Sequence, residues 1–214
     1  MNTPDLIARV QQAVKDDSFT EAEILSRLND ALQAVAFEFC LPELEADDEI
    51  AFTAGGDAFA SLPDDYHHDL WHIDPLTFTD RILVMGSLKS LQRIYAGNAQ
   101  GGTIYHAAVD GLTLHVRPLQ TQDQTVKVYY YRKPDGLTNE DTSIPEGIPA
   151  HLHTILSDKV ASELFDIIED GIDGNKANTN RYEQRYMNGL MSLQQYAKRA
   201  PRLTPYIRRK VQDF

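Results

Sequence analysis

Between residues 126 and 170 the hydrophobic period of this chain changes from two to about three and a half, and that change limits what it can fold into. Val126, Val128 and Tyr130 alternate with Lys127, Tyr129 and Tyr131, so a strand here carries branched or aromatic residues on both faces. Such a strand suits the middle of a small sheet. After Arg132-Lys133-Pro134, a segment from about Pro149 to Asp170 places Leu152, Ile155, Leu156, Val160, Leu164 and Ile168 three or four residues apart. This is one apolar stripe on a helix, and it needs partner helices to cover it.

Both ends of the chain supply them. Thr3-Pro4-Asp5 offers an N-cap, a first-turn proline and a first-turn acid ahead of Leu6, Ile7, Val10 and Val14, predicting a helix to about Asp16. Thr20 and Glu23 have capping-box spacing, and Phe19 and Ile24 the spacing of a hydrophobic staple. The stripe Ile24, Leu28, Leu32, Val35, Phe39 then runs to Leu41-Pro42, where proline disfavours further helix. A last helix from about Thr179 carries Tyr182, Tyr186, Leu190, Leu193 and Ala197 and stops before Pro201 and Pro205.

The middle reads differently. Glu43 to Glu49 reads as an acidic linker, 50–53 and 58–62 as strands around Gly55-Gly56-Asp57, 63–75 as irregular, 77–84 as a strand, and 87–95 as a short helix closed by Gly97. Asp110-Gly111 is a favoured two-residue hairpin turn. It would set Val109 opposite Leu112, Ala107 opposite Leu114, Tyr105 opposite Val116, and on the other face Ala108 opposite Thr113 and His106 opposite His115. Strand 126–131 would complete that sheet. The predicted class is α+β. An antiparallel helical bundle (1–46 and 136–197) carries an inserted small antiparallel β module (47–135) and an extended C-terminal tail (198–214).

Charge excludes several functions. The chain carries a net −12, yet residues 198–214 hold six cations and one acid, so the tail is +5 and the remainder −17. An acidic body is unsuited to wrapping DNA, which needs clustered Lys and Arg, and the tail is better matched to an acidic protein surface. Pro201 and Pro205 keep the tail out of the last helix, and Leu203, Tyr206, Ile207, Val211 and Phe214 are too sparse for a core of their own. Lys198, Arg199, Arg202, Tyr206, Arg208, Arg209, Lys210 and Phe214 are therefore candidate docking residues. One cysteine, Cys40, leaves no internal disulfide and no Cys-based zinc site. No apolar run reaches membrane-span length and the start lacks signal-peptide character, so a product outside the usual secretory route is expected, with no membrane partner.

No pattern nominates catalytic residues or a cofactor. His68 and His72 have the i, i+4 spacing of a zinc-protease helix, but Asp69 stands where that motif has Glu, and a polar turn with Trp71 packed beneath it is the competing reading. His106 and His115 could supply two ligands to a metal completed by a neighbouring subunit; the plainer reading is an interface contact that weakens as both rings charge. His151 and His153 face apart. Residues 170–175 lack the alternating oxygen ligands and closing Glu of a calcium loop. Tyr129 and Tyr131 offer amphipathic surface for a subunit interface, with base or sugar stacking beside Lys127, Arg132 and Lys133 as the alternative.

Three segments carry a resemblance. They are Gly111-Leu112-Thr113-Leu114-His115-Val116-Arg117-Pro118, then Val128-Tyr129-Tyr130-Tyr131-Arg132-Lys133-Pro134 with Leu137, then Ile144-Pro145-Glu146 leading into a helix; Leu62-Pro63-Asp64-Asp65-Tyr66 adds to them. In this order the chain resembles the head-to-tail adaptor (connector, or tail tubular) proteins of tailed bacteriophages over roughly residues 20–195. It departs where the family often repeats proline two residues after the first, since Leu119-Gln120 follows Pro118. The resemblance implies a structural protein of the virion neck, made in the host cytoplasm. It further implies a homo-oligomeric ring, commonly twelve-fold, between a portal protein and a tail or nozzle protein, with DNA only as passing cargo. An acidic lumen would let DNA slide through. A stand-alone binding module or hydrolase using the tyrosine and histidine surfaces is the other class.

Overall fold

The computed structural model describes residues 1–76, 82–85, 87–96, 101–140, 142–170 and 176–199. In chain order the elements are α1 (Thr3–Val14), α2 (Glu21–Glu38), β1 (Glu45–Phe52), β2 (Phe59–Ser61), β3 (Tyr66–Pro75), β4 (Leu83–Met85), α3 (Leu88–Ile94), β5 (His106–Asp110), β6 (Thr113–Arg117), β7 (Gln124–Arg132), α4 (Thr154–Glu169) and α5 (Ala177–Arg199). The class is α+β. Two compact units are formed, one by Met1–Leu44 together with the chain from Pro134 on, the other by Glu45–Lys133.

In the helical unit α4 touches α1, α2 and α5. Its stripe explains this, because Leu156, Val160 and Leu164 are fully buried and Ile155 nearly so. Each such side chain contributes roughly 1.5–3 kcal/mol on leaving water. α2 answers with Ile24, Leu28, Leu32 and Val35, and α5 with Leu190 and Leu193. Gly189 lets α5 approach, since a Cβ there would lie 2.5 Å from Ile155 Cγ1. The Thr20 side chain caps α2 by accepting from the Glu23 amide. At α1 the cap is Asn2 rather than Thr3: Asn2 and Asp5 form the reciprocal box, while Thr3 is buried and donates its hydroxyl to the Ser143 carbonyl at 3.0 Å. Asn29 of α2 pins the segment after Pro134 by exchanging hydrogen bonds with the Leu137 amide and carbonyl at 2.6 and 3.2 Å.

The β unit holds two sheets, of order β1-β7-β3 and β2-β6-β5-β4, antiparallel except for the parallel β4–β5 pair. One core draws on both: Ile50, Phe52, Ile73, Val126, Val128 and Tyr130 meet Ile104, Ala107, Leu114 and Val116. Gln124 braces it by accepting from the Ile104 amide and donating to the Gly102 carbonyl, and Gln120 donates to the Thr53 and Asp57 carbonyls.

Several expectations for this unit are corrected. β7 is central, but to its own three-stranded sheet, and does not complete the hairpin sheet. The acidic stretch before Ile50 is no linker; residues 45–49 are the first half of β1, paired with β7 from Glu45↔Tyr131 to Phe52↔Gln124. β1 and β2 do not pair with each other but sit in different sheets. The segment read as irregular contains the ten-residue β3, whose pairing with β7 shifts register between Tyr66 and His68 and again between His68 and His72, with Asp69 at φ 48°. Those shifts space its buried residues Tyr66, Leu70 and Ile73 by four and three, hiding the strand period.

The hairpin register also differs. Its loop is Gly111-Leu112, with Asp110 opposite Thr113, Ala108 opposite His115 and His106 opposite Arg117. Gly111 at φ 59° takes the first central position and Leu112 is not at positive φ, as in a type II′ turn, which does not need Asp110 inside it. A shift of two preserves the alternation, so Ala107, Leu114 and Val116 stay buried while the pairing of His106 with His115 is lost.

Candidate interaction surfaces

With Val126, Val128 and Tyr130 in the core, β7 turns Lys127, Tyr129 and Tyr131 to the opposite face. There the Tyr129 ring lies 5.3 Å from Trp71 and 5.6 Å from His72, and Lys127 Nζ sits 5.6 Å over it. His72 is held by Asp74 at 2.6 Å and Lys127 by Asp47 at 2.7 Å. His68 and His72 thus lie along a strand, packed on tyrosines, and not on a metalloprotease helix or polar turn. Tyr131 is stacked by His68 at 5.4 Å and donates its hydroxyl to Glu45. It is only 3% exposed, so of the two tyrosines expected at an interface Tyr129, half-buried, is the one with surface to offer. Burial pushes the Tyr129 phenol up and the His67 and His68 imidazoles down.

The hairpin histidines are held separately. His106 Nδ1 shares a hydrogen bond with the Tyr95 hydroxyl at 2.8 Å, and His115 lies 6.0 Å from Phe59. They are not a cross-strand ligand pair. Of the basic docking candidates, Lys198 and Arg199 end α5 and are exposed. Arg202, Tyr206, Arg208, Arg209, Lys210 and Phe214 lie outside the described residues.

Two concave surfaces went unread in the sequence. In the β unit an open groove of about 740 Å³ is lined by Asp47, Asp48 and Glu49 of β1 and by Asp64 and Asp65 ahead of β3. Tyr130 reaches into it and donates to Asp65 at 2.7 Å; burial and that bond keep its phenol protonated. In the helical unit a cavity of about 210 Å³ lies among Arg9, Gln12, Ser157, Asp158, Tyr182 and Arg185. Asp158 is 7% exposed, and burial raises its carboxyl against the opposing pull of Arg9 and Arg185. The available signals were the three acids at 47–49, the pair at 64–65 and the like-charge pair Arg181 and Arg185 around Tyr182.

A family model described as SU10 adaptor protein matches residues 1–209. The chain belongs to the SU10 adaptor protein family. No curated protein matches it. Membership places the chain among phage adaptors, structural components of the virion that work through contact with other phage structural proteins. No described helix is long and apolar enough to cross a membrane.

Proposed function

We propose that this adaptor forms a ring of identical copies, twelve in number, beneath the portal of a phage neck, passing DNA through its centre and offering its far side to a tail or nozzle protein. The observation that carries the reading is the adaptor family match over residues 1–209. The net charge of −12 supports it, since an acidic channel repels phosphate and leaves DNA free to move. The basic stretch from Lys198 onward docks on acidic surface of the portal or of a neighbouring copy, and Tyr129 on one sheet and His106 and His115 on the other contribute to contacts within the ring. Imaging the purified protein with and without an isolated portal ring tests this reading. A ring stacked coaxially on the portal is expected, and isolated monomers beside undecorated portals would overturn it.

A further inference from the structure

We propose that the cationic cavity on α1, α4 and α5 of one copy receives acidic side chains from the β1 groove of a second copy, joining copies helical unit to β unit. The inference rests on the ring reading above and names the contact that builds it.

Charge placement is the starting point. In a chain of net −12, α5 carries Arg181, Arg185, Lys198 and Arg199 against the single acid Glu183. Arg181 and Arg185 are i, i+4 neighbours of like sign, an unfavourable pairing for an isolated helix. Both guanidiniums lie over the Tyr182 ring, at 6.0 and 5.2 Å. Among the described residues, the ion pairs of the helical unit give neither one a carboxylate partner. Asp158 on the cavity floor is engaged by Arg9 at 3.7 Å, and Arg9 itself remains 42% exposed. Two guanidiniums, Arg9 and Arg185, line the cavity around one carboxylate, with Arg181 beside them over the Tyr182 ring, so positive charge is in excess. At about 210 Å³ the cavity suits a side-chain carboxylate rather than a cofactor.

The complement is on the same chain. Asp47 is taken by Lys127 and Asp65 by Tyr130, while Asp48, Glu49 and Asp64 stand exposed at the groove. β1 is an edge strand, and consecutive acids along it repel the same edge of another copy. Contact between identical patches is therefore disfavoured on both sides, cation against cation and acid against acid. Contact between unlike patches is heterologous, and a heterologous contact that closes makes a ring.

Sedimentation of full-length protein at low salt tests the contact with two variants, Arg181→Glu/Arg185→Glu and Asp48→Lys/Asp64→Lys. Each alone should lose self-association at least about tenfold, and an equimolar mixture should regain it, because every contact between the two variants again joins opposite charges. Wild-type-like assembly of either variant alone overturns the inference while leaving the ring standing. Loss without recovery in the mixture overturns it too. A wild type that stays monomeric at every concentration overturns the ring reading as well. Circular dichroism checks folding; if the arginine variant melts early, the lysine variant alone decides, since Asp48 and Asp64 are exposed: loss of self-association with an unchanged melt is expected, and wild-type-like assembly overturns the inference.

Discussion

Thr179 donates to the Glu169 carboxylate twice, from its hydroxyl at 2.8 Å and from its backbone amide at 3.1 Å. Asn178 adds its amide at 3.2 Å and its side-chain nitrogen at 2.9 Å, so the acid that ends α4 caps the first turn of α5. Burial would raise this carboxyl, but the donors from Thr179 and Asn178 outweigh it and hold the carboxyl below its usual value of 4.5. A lowered acid stabilises the fold above its unfolded pKa, and the gain is lost as pH falls through the folded value. The melting temperature should therefore drop on acidification below about pH 4.5. Glu169→Gln should lower it by a few degrees at pH 7 and flatten that acid limb, because an amide nitrogen would face two donors. An unchanged acid limb would contradict the role.

Gly189 should be intolerant of even one methyl group. Alanine is favoured over glycine inside a helix by about 1 kcal/mol, yet the new Cβ would stand 2.5 Å from Ile155 Cγ1, and overpacking costs typically about 1–3 kcal/mol. Gly189→Ala should lower stability in denaturant titration. Combined with Ile155→Ala it should cost less than the two single changes added together. Additive effects would mean that α4 and α5 are not in contact there.

The two outward tyrosines of β7 should separate stability from assembly. Tyr131→Ser removes a side chain 3% exposed and should lower the melting temperature clearly. Tyr129→Ser, at a half-buried ring, should leave the melt nearly unchanged and weaken self-association measured by light scattering. Normal assembly of Tyr129→Ser would remove this residue from the interface.

How far the sequence could be read follows from where its patterns are local. α2 and α4 were legible because their stripes are regular and cap or proline signals bracket them. β3 was not, since its register shifts space Tyr66, Leu70 and Ile73 like a helix turn. The first half of β1 passed for a linker because its edge position puts Asp47, Asp48 and Glu49 in water, while the half holding the buried Ile50 and Phe52 read as a strand. The central character of β7 was readable from its two apolar faces, but nothing local says which sheet it joins. In the hairpin Ala107, Leu114 and Val116 are buried as read, but Tyr105 and Leu112 are exposed and the partners differ, because a shift of two keeps alternation and only the φ of Gly111 and Leu112 distinguishes the registers. The cationic cavity depends on Arg9 meeting Asp158 and Arg185 across three helices, a contact no window of sequence contains.

Truncation after Ala197 should leave the circular-dichroism melt intact and abolish binding to portal rings. In the intact protein, binding should weaken between about 0.1 M and 1 M salt while the fold persists, because the screening length falls from about 10 to 3 Å. Unchanged portal binding by the truncated chain would place docking on the helical unit instead.

Native mass spectrometry of the wild-type protein, alone and after incubation with portal rings, addresses the central claim most directly. The account predicts one discrete species of identical copies, twelve per ring, that transfers onto the portal as a unit. A monomer that persists alone and adds to the portal in variable numbers, or not at all, would contradict it.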